Sequence, residues 1–200
     1  MRIIAGSAKG RKLLSVPGAG TRPITARVKT ALFSILGADI REAHFLDLFA
    51  GTGGVGIEAL SRGAAHAVFV ERSRKALMTV RRNLEITGLM DRAEVIHGDA
   101  FRYVNTAPPE ARYDYIYVAP PQYQALWAKM VLALDAKPLL APDGLVIVQI
   151  HPKEADELPT RHLALFQERH YGSTLLRFYS WRASRVAEEE EQDVEGEEER

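Results

Sequence analysis

"DLFAGTGGVG", Asp47 to Gly56, follows the apolar stretch "HFL" and precedes "IEAL", so it joins a predicted strand to a predicted helix. Its glycines allow the backbone to turn sharply and to approach a ligand closely, and the following helix offers free N-terminal amides to that ligand. Gly51, Gly53 and Gly56 also match the G-x-G-x-x-G pattern of dinucleotide-binding folds, although three glycines alone are a weak signal. The stretch predicts a ligand site at the end of a strand in an α/β domain.

Apolar strands alternate with helices around this turn. The strands predicted in this part are "HFLDLFA", "AVFVE", "AEVIHGD", "YDYIYVA" and "GLVIVQI". Such strands, alternating with helices, are typical of a parallel sheet covered on both faces. The last two strands, "LALFQERHYG" and "STLLRFYSW", alternate more strictly and meet at a Gly-Ser turn, which predicts an antiparallel pair at the sheet edge. The expected fold is a Rossmann-like α/β domain: a mostly parallel seven-stranded sheet with an antiparallel edge strand and helices on both faces.

Several helices have recognisable ends. Thr25 is expected to cap "ITARVKTALFSILG", and Gly37 to end it. Ser73 and Gly88 bound "SRKALMTVRRNLEITG" in the same way. Further helices are predicted for "VGIEALSRG", for a short segment after "HGDA" and for "YQALWAKMVLALDA", which begins at Tyr123.

Three successive strands each end near an acidic residue, namely Asp47, Glu71 and Asp99. Ligands of open α/β sheets bind outside the carboxyl ends of the strands, where these side chains are expected to meet. Glu71 follows the first glycine of the turn by about twenty residues, the spacing at which an acid binds a ribose diol. One acid in such a place is more often a helix cap, but three beside a glycine turn indicate a nucleoside cofactor. A nicotinamide dehydrogenase would use the first two and has little need of Asp99, which suits the exocyclic amine of adenine.

The composition suits one domain with an appendage, because the chain has 200 residues. It contains no cysteine, which excludes disulfides and thiol chemistry, and its six histidines do not stand in a metal-ligand pattern. No apolar run is long enough to span a bilayer, and the N-terminus lacks the apolar core of a signal peptide. We therefore expect a cytoplasmic monomer with no metal and no membrane association.

The neutral net charge hides two regions of opposite charge. Residues 188–200 contain nine acidic side chains and one arginine, whereas residues 1–187 contain 25 basic and 17 acidic side chains, a net charge of +8. The first 36 residues contain seven basic side chains and no acidic one. A basic body with a basic N-terminal arm favours a polyanionic partner over a surface that is merely soluble. The acidic tail has few apolar residues and is expected to be disordered.

Four segments of the chain occur in the order and spacing of one protein family: "RIIAGSAKGRKL", "RPITARVKTALFSIL", "LDLFAGTGGVGIEALSRGA" and "YGSTLLRFY". They resemble the RsmD family of bacterial guanine-N2 methyltransferases of small-subunit (16S) ribosomal RNA, which are class I S-adenosylmethionine (SAM)-dependent enzymes. The resemblance covers residues 2–181. It implies a methyltransferase domain over residues 24–186, between a hairpin-like basic arm over residues 1–23 and the acidic tail over residues 187–200. It also implies ribosomal RNA or a small-subunit assembly particle as the partner.

The resemblance assigns roles by position. The cofactor-binding residues it implies are Asp47, Phe49, Ala50, Gly51, Thr52 and Gly53 for the methionine end of SAM, Glu71 and Arg72 for the ribose, and Asp99 and Ala100 for the adenine. The RNA-binding residues are Lys9, Arg11, Lys12, Arg22, Thr25 and Arg27. The catalytic corner is Ala119, Pro120, Pro121, Gln122 and Tyr123, which follows the strand "YDYIYV".

The chain departs from the family pattern at this corner. The usual motif D-P-P-[YF] reads Ala119-Pro120-Pro121-Gln122 here, so the expected carboxylate and aromatic ring are both absent from their places. The backbone carbonyls of Ala119 and Pro120 and the side-chain amide of Gln122 remain as acceptors, and Tyr123 stands one place late for stacking on a base. Ala26 and Thr30 also replace a usual Asp and Glu.

Three hypotheses follow from these residues. The first is SAM-dependent methylation of a guanine N2 amine in 16S ribosomal RNA. The second is a catalytically weak or inactive relative that binds SAM and RNA, which Ala119 and Gln122 motivate. The third is a nicotinamide dehydrogenase, which rests on the glycine pattern alone. A purely structural Pro-Pro corner, with Tyr123 and Trp127 as packing residues, is the alternative to a catalytic one.

Overall fold

The computed structural model describes residues 1–18 and 24–182 of the chain. Seven strands form one sheet, and their bounds are β1 (His44–Asp47), β2 (His66–Glu71), β3 (Ala93–His97), β4 (Tyr113–Val118), β5 (Leu140–Ile150), β6 (Leu163–Tyr171) and β7 (Thr174–Trp181). The helices are α1 (Ala26–Leu36), α2 (Gly56–Ser61), α3 (Arg74–Thr87), α4 (Ala100–Thr106) and α5 (Leu126–Asp135). Two short 3₁₀ turns lie at Met90–Arg92 and Pro152–Glu154.

The strand order is β3-β2-β1-β4-β5-β7-β6. Strands β1 to β5 pair in parallel, and β7 runs antiparallel to both of its neighbours, β5 and β6. The chain moves outward from β1 to β3 on one side and continues on the other side with β4. This change of direction beside β1 is a topological switch point, where open α/β sheets bind ligands. The predicted mostly parallel seven-stranded sheet with an antiparallel pair at its edge is confirmed.

Helices cover both faces of the sheet, each over its own apolar cluster. One cluster includes Leu32 of α1, Leu60 of α2 and Val80 of α3, all fully buried. The other includes Val104 of α4 and Met130 of α5. The sheet is therefore buried on both sides, as its near-continuous apolar strands predict.

The helix ends follow local capping chemistry. The hydroxyls of Thr25 and Ser73 each accept a hydrogen bond from the backbone amide three residues later, at 3.3 and 3.4 Å. These bonds satisfy amides at the starts of α1 and α3. Gly37 and Gly88 follow the last residues of these helices, both at positive φ. These four predicted boundaries are confirmed.

Three predicted boundaries are wrong by three or more residues. Helix α5 begins at Leu126 rather than at Tyr123, because Tyr123 and Ala125 have φ values of 60° and 51°, outside the helical range. Strand β1 ends at Asp47 rather than continuing to the glycine turn. Strand β5 begins at Leu140, earlier than "GLVIVQI", because Leu140 pairs with Tyr113 before the register shifts.

The N-terminal residues fold back on themselves and pack on the helices. The amide of Ile3 donates to the carbonyl of Arg11 at 3.0 Å, and that of Leu13 donates to Met1 at 2.9 Å. Ile3 and Leu13 are buried in the same cluster as α1, α2 and α3. Residues 1–18 are called the arm below.

A fully buried carboxylate fastens the arm to the domain. Glu58 of α2 accepts hydrogen bonds from the amides of Ile4 and Ala5, at 2.9 and 3.0 Å. It also pairs with Lys29 of α1 and with Arg62, both at 2.9 Å. Gly6 makes close backbone approach possible here, because it has a φ of 82° and a Cβ at this position would overlap the carbonyl of Ser61.

The predicted acidic tail over residues 187–200 lies outside the described residues. In the part of the chain that is described, none of the helices has the length and apolar character needed to cross a membrane.

Candidate active site

Asp47, Glu71 and Asp99 lie at one edge of the sheet, because each follows or ends a strand of the parallel set β1, β2 and β3. In the register of the sheet Asp47 stands beside Phe69 and Glu71 stands beside His97, so the three strand ends are staggered by about two residues. Glu71 lies close enough to Asp47 for its negative charge to raise the pKa of Asp47, and Asp99 follows the end of the next strand along the same edge.

Asp47 is the most deeply buried of the three acids. It is only 1% exposed, and its Oδ1 atom has no hydrogen-bond partner among the described residues. Burial raises the pKa of this carboxyl to about 7, the backbone amides of Gly56 and Phe49 oppose the rise, and the negative charge of Glu71 adds to it. A buried, unpaired carboxylate oxygen calls for a donor or a cation that the described protein residues do not supply.

The glycine turn follows directly and is tied to the neighbouring acid. Gly51 and Gly53 have φ values of 56° and 76°, which favour glycine, so the turn needs these residues. The amide of Gly51 donates to Glu71 Oε2 at 2.9 Å, while Oε1 accepts from the amide of Ser73 at 2.7 Å. A carboxylate has about four acceptor positions, so Glu71 can receive further donors such as ribose hydroxyls.

Asn83, which the sequence analysis did not single out, connects the turn to the arm. It is fully buried on α3, and its Nδ2 donates to the carbonyls of Thr52 and Leu14 at 2.9 and 3.1 Å. Its Oδ1 accepts from the amide of Leu14 at 2.7 Å. The position of the glycine turn therefore depends on the arm.

Asp99 is exposed and caps α4, since its Oδ1 accepts from the amide of Arg102 at 3.0 Å. Ala100 is buried behind it, and Arg72 is exposed at the end of β2. Asp99 can cap α4 and bind a cofactor at the same time, because its second carboxylate oxygen remains available.

The Pro-Pro corner follows β4 at the same edge. Ala119 packs against the cluster under α1 to α3, and Pro120 is buried, whereas Pro121 is exposed. Gln122 is half-buried, and its side chain makes no hydrogen bond to any described residue. Tyr123 is 67% exposed. The nearby Trp127 is instead a core residue, 2% exposed, with Arg177 over its ring.

Tyr123 is held by two residues that the sequence analysis missed. Its amide donates to Glu154 Oε2 at 2.6 Å, and its ring centroid lies 5.7 Å from that of His151. Both partners come from the segment after β5, the strand next to β4. A tyrosine at a φ of 60° is strained, and such residues concentrate at functional sites whose surroundings hold them in place.

A sequence signal for Glu154 exists. The backbone amide of His151 donates to Glu154, and its Nδ1 accepts from the amide of Lys153, which together form a capping box around Pro152. Such a box is recognisable from the spacing of cap and acid. The contact with Tyr123 is not, because it joins residues 31 positions apart.

Four of the residues expected to bind RNA are exposed on the arm and on α1. Lys9, Arg11 and Lys12 are exposed on the arm, and Arg27 is exposed on α1. The hydroxyl of Thr25 caps α1 by accepting a hydrogen bond from the amide of Val28. The remaining residue of this set, Arg22, lies outside the described residues. Among the residues that are described, no group of three or more His, Cys, Asp or Glu side chains is placed to hold a metal ion.

Known proteins share both the sequence and the fold. A family model described as "conserved hypothetical protein 95" matches residues 1–180. The chain is 38% identical over 185 residues to the putative rRNA methyltransferase YlbH of Bacillus subtilis, a match that covers 91% of this chain and all of that protein. It is 32% identical over 179 residues to the ribosomal RNA small subunit methyltransferase D of Escherichia coli K12, covering 90% and 89% of the two chains.

Solved structures agree. A structure described as the putative methyltransferase yhhF from Escherichia coli superimposes with a TM-score of 0.78 at 33% identity, covering 90% of this chain and 97% of that one. An RNA methyltransferase from Salinibacter ruber, solved with S-adenosyl-L-homocysteine, has a TM-score of 0.60 at 18% identity and so supports the fold alone. The match over residues 1–180 and the identity to full-length relatives confirm the resemblance of the four motifs: the chain belongs to the RsmD family, with the Rossmann-like fold of methyltransferases.

Proposed function

We propose that the protein transfers a methyl group from SAM to the exocyclic N2 amine of a guanine in small-subunit (16S) ribosomal RNA. The observation that carries this proposal is the unpaired Asp47 oxygen beside the Gly51–Gly53 turn, at the sheet edge that also holds the Pro-Pro corner. The names of the family's relatives, among them ribosomal RNA small subunit methyltransferase D, support ribosomal RNA as the substrate.

The edge fits a SAM molecule. Asp47 offers a carboxylate oxygen to the charged methionine end, Glu71 offers acceptors for the ribose diol, and Asp99 offers one for the adenine amine. The neighbouring residues that complete this set are Phe49, Ala50, Gly51, Thr52, Gly53, Arg72 and Ala100. When bound, SAM supplies a methyl group whose carbon is open to attack by a nucleophilic nitrogen, because the positively charged sulfur that carries it is a good leaving group.

The corner after β4 orients the acceptor amine. The carbonyls of Ala119 and Pro120 accept its N–H groups, since the prolines that follow them leave these carbonyls unblocked and fix the backbone. Gln122 adds a neutral acceptor, and Tyr123 covers the base. Holding the nitrogen in line for attack supplies a large part of the acceleration, because it replaces a bimolecular encounter with a fixed geometry.

Incubation with tritiated SAM and undermethylated small-subunit particles tests the proposal. We expect label in a single guanine, and mass spectrometry of that nucleoside places the methyl group on N2. SAM binding in a thermal-shift assay without any transfer to the particles contradicts the proposal. The protein is expected to elute as a monomer and to act in the cytoplasm, where these particles assemble.

A second candidate function, a weak or inactive protein that binds SAM and RNA, is favoured by one observation. Ala119 cannot supply the carboxylate of the family motif, and loss of a preorganised polar partner in a transition state costs a rate factor on the order of a hundred to a thousand. The substitution Ala119→Asp separates the two functions. A gain in transfer of that size supports the second, whereas no gain, or a loss, supports a corner adapted to work without the carboxylate. The family membership gives no support to a nicotinamide dehydrogenase.

A further inference from the structure

The exposed face of α3 combines positive charge with an apolar centre. Met78 is 71% exposed, an unusual degree for a methionine. At 100° per residue, the four basic side chains of the helix surround it: Arg74, Lys75, Arg81 and Arg82. The only acid of the helix, Glu85, pairs with Arg82 at 2.7 Å, which leaves a net charge of +3 on this face.

A groove separates this face from the arm. Its walls are Leu14, Ser15 and Pro17 of the arm and Lys75, Met78, Thr79 and Arg82 of α3, and its volume is about 410 Å³. Leu14 is 48% exposed although it is apolar. The volume lies in the range of small-ligand sites. The groove thus has an apolar floor and basic rims.

The groove adjoins the proposed cofactor edge. Helix α3 begins three residues after Glu71, and Lys75 is its second residue. On the other wall, Leu14 is joined through Asn83 to Thr52 of the glycine turn. A chain that follows the groove toward the start of α3 reaches the edge where Asp47 and Glu71 lie.

The charge of the whole layer points the same way. The arm, α1, α2 and α3 together contain ten basic and two acidic side chains; Lys29 and Glu58 are fully buried as a pair, which leaves nine basic side chains and one acidic side chain at the surface. The helices of the opposite face, α4 and α5, contain two basic and one acidic side chain. The positive charge is therefore concentrated on the face that carries the groove.

We propose that the arm–α3 groove, together with the basic face of α3 beside it, is an RNA-binding surface, which receives a single-stranded segment of the substrate RNA. This inference rests on the proposed function for the identity of the RNA. Lys75, Arg81 and Arg74 bind phosphates, while Leu14 and Met78 contact the ribose and base faces that a strand without a pairing partner exposes. A second copy of the protein is a poorer occupant, because two such faces repel each other.

Neutralisation of two cations tests the surface. The variant Lys75→Gln/Arg81→Gln removes side chains that make no ion pair in the structure, so the fold is left intact. The matched control is Lys129→Gln/Lys137→Gln, which removes the same charge from exposed lysines at α5 and just beyond it, on the opposite face. Binding to protein-free, undermethylated 16S ribosomal RNA is measured by filter retention over a series of salt concentrations, and methyl transfer is measured in parallel.

The α3 variant is expected to bind about tenfold more weakly at low salt, and the magnitude of its log–log salt slope is expected to fall by about 1.4, because each of the two lost phosphate contacts removes about 0.7 for a single strand. The control pair is expected to retain the wild-type slope. Met78→Ser is expected to weaken binding without a change of slope, since its contact is apolar.

Equal losses in the α3 variant and the control overturn the inference, because they indicate diffuse attraction. Absence of RNA binding by the wild type also overturns it, as does self-association that Met78→Ser abolishes while RNA affinity is unchanged. If the wild type binds RNA through α3 but transfers no methyl group either to this RNA or to undermethylated small-subunit particles, the surface stands and the proposed function is wrong.

Discussion

Asp47 is a residue whose ionisation opposes folding in the absence of a ligand. Its pKa in the folded protein, about 7, lies well above the usual value near 4 of an aspartate in an unfolded chain, chiefly because of burial. The folded state therefore holds a proton that the unfolded state has lost between about pH 4 and pH 7. Stability falls as the pH rises through this window, by at most a few kcal/mol.

Asp47→Asn removes this dependence, because asparagine does not titrate. As the pH rises from 5 to 8, the wild type is expected to lose stability relative to the variant. Urea unfolding of both proteins without SAM measures this difference in unfolding free energy. A difference that stays constant over this pH range contradicts the raised pKa of Asp47. The same variant is expected to bind SAM more weakly at pH 8, since it lacks the carboxylate charge.

Asp135 provides a control of opposite sign. Burial raises the pKa of this carboxyl, but the amides of Arg161, Leu163 and His162 lower it by more, so its pKa in the folded protein is below the usual value. Its stabilising contribution is present at neutral pH and is lost as the pH falls toward the folded pKa. Asp135→Asn is therefore expected to be most destabilising at neutral pH and least in acid.

At the scale of elements, the segment after β5 stabilises the corner after β4. Glu154 accepts the amide of Tyr123 at 2.6 Å, in a backbone conformation that is strained for tyrosine. Glu154→Gln replaces a charged acceptor by a weaker neutral one, so the corner is expected to lose its fixed position. Displacements of about 1 Å near a reacting centre cost up to about a hundredfold in rate.

We expect Glu154→Gln to lower kcat for RNA methylation by about tenfold to a hundredfold while the KM for SAM and the melting temperature remain close to those of the wild type. Glu157→Gln, which changes an exposed carboxylate in the same segment, is the matched control. An unchanged kcat, or a loss of kcat that parallels a loss of thermal stability, contradicts the prediction that Glu154 positions the corner.

The pair formed by Lys29 and Glu58 joins three elements, namely α1, α2 and the arm. Both side chains are fully buried, and burial lowers the pKa of Lys29, while its bond to Glu58 raises it. Glu58→Gln leaves a buried cation without its partner, which costs about 3–5 kcal/mol. Lys29→Met is expected to cost less, because Glu58 keeps Arg62 and the amides of the arm.

The Glu58→Gln deficit is expected to shrink as the pH rises from 7 to 9. The bond to Glu58 opposes the lowering of the Lys29 pKa by burial, so this pKa falls further in the variant than in the wild type. The variant therefore gains more stability than the wild type as the pH rises toward the pKa of lysine in the unfolded chain. Urea unfolding at the two pH values measures this change. A deficit that does not depend on pH indicates lost packing rather than an uncompensated charge.

The sequence predicts the features that depend on short sequence patterns, and it does not predict those that depend on contacts between distant residues. The fold and the strand-end acids Asp47, Glu71 and Asp99 follow from short patterns, because parallel strands bring their carboxyl ends to one edge. The contact of Glu154 with Tyr123 and the late start of α5 depend on positive φ at Tyr123 and Ala125, residue types that do not favour that conformation. Asn83 and Glu58 look like ordinary helix residues in the sequence. The partners of Asn83 lie 31 and 69 positions away, and the arm amides that Glu58 binds lie 53 and 54 positions away.

At the scale of the whole molecule, charge is divided between a basic face and an acidic C-terminal segment. The layer of the arm and helices α1 to α3 carries ten basic side chains, while residues 188–200 contain nine acidic ones. Opposite charges on one chain attract each other at low ionic strength, where the Debye length is about 30 Å at 0.01 M salt. The acidic segment is therefore expected to compete with RNA phosphates for the basic face.

Deletion of residues 188–200 is expected to tighten binding to 16S ribosomal RNA several-fold at low salt and to have little effect near 1 M salt, where the Debye length is about 3 Å. A variant that keeps the length of the segment but replaces its nine acids by glutamine or asparagine is expected to behave like the deletion, since charge rather than length causes the competition. Filter binding of the three proteins over a salt series measures the effect. Affinities that coincide at every salt concentration rule out the competition, and a deletion that differs from the neutral variant attributes the effect to length.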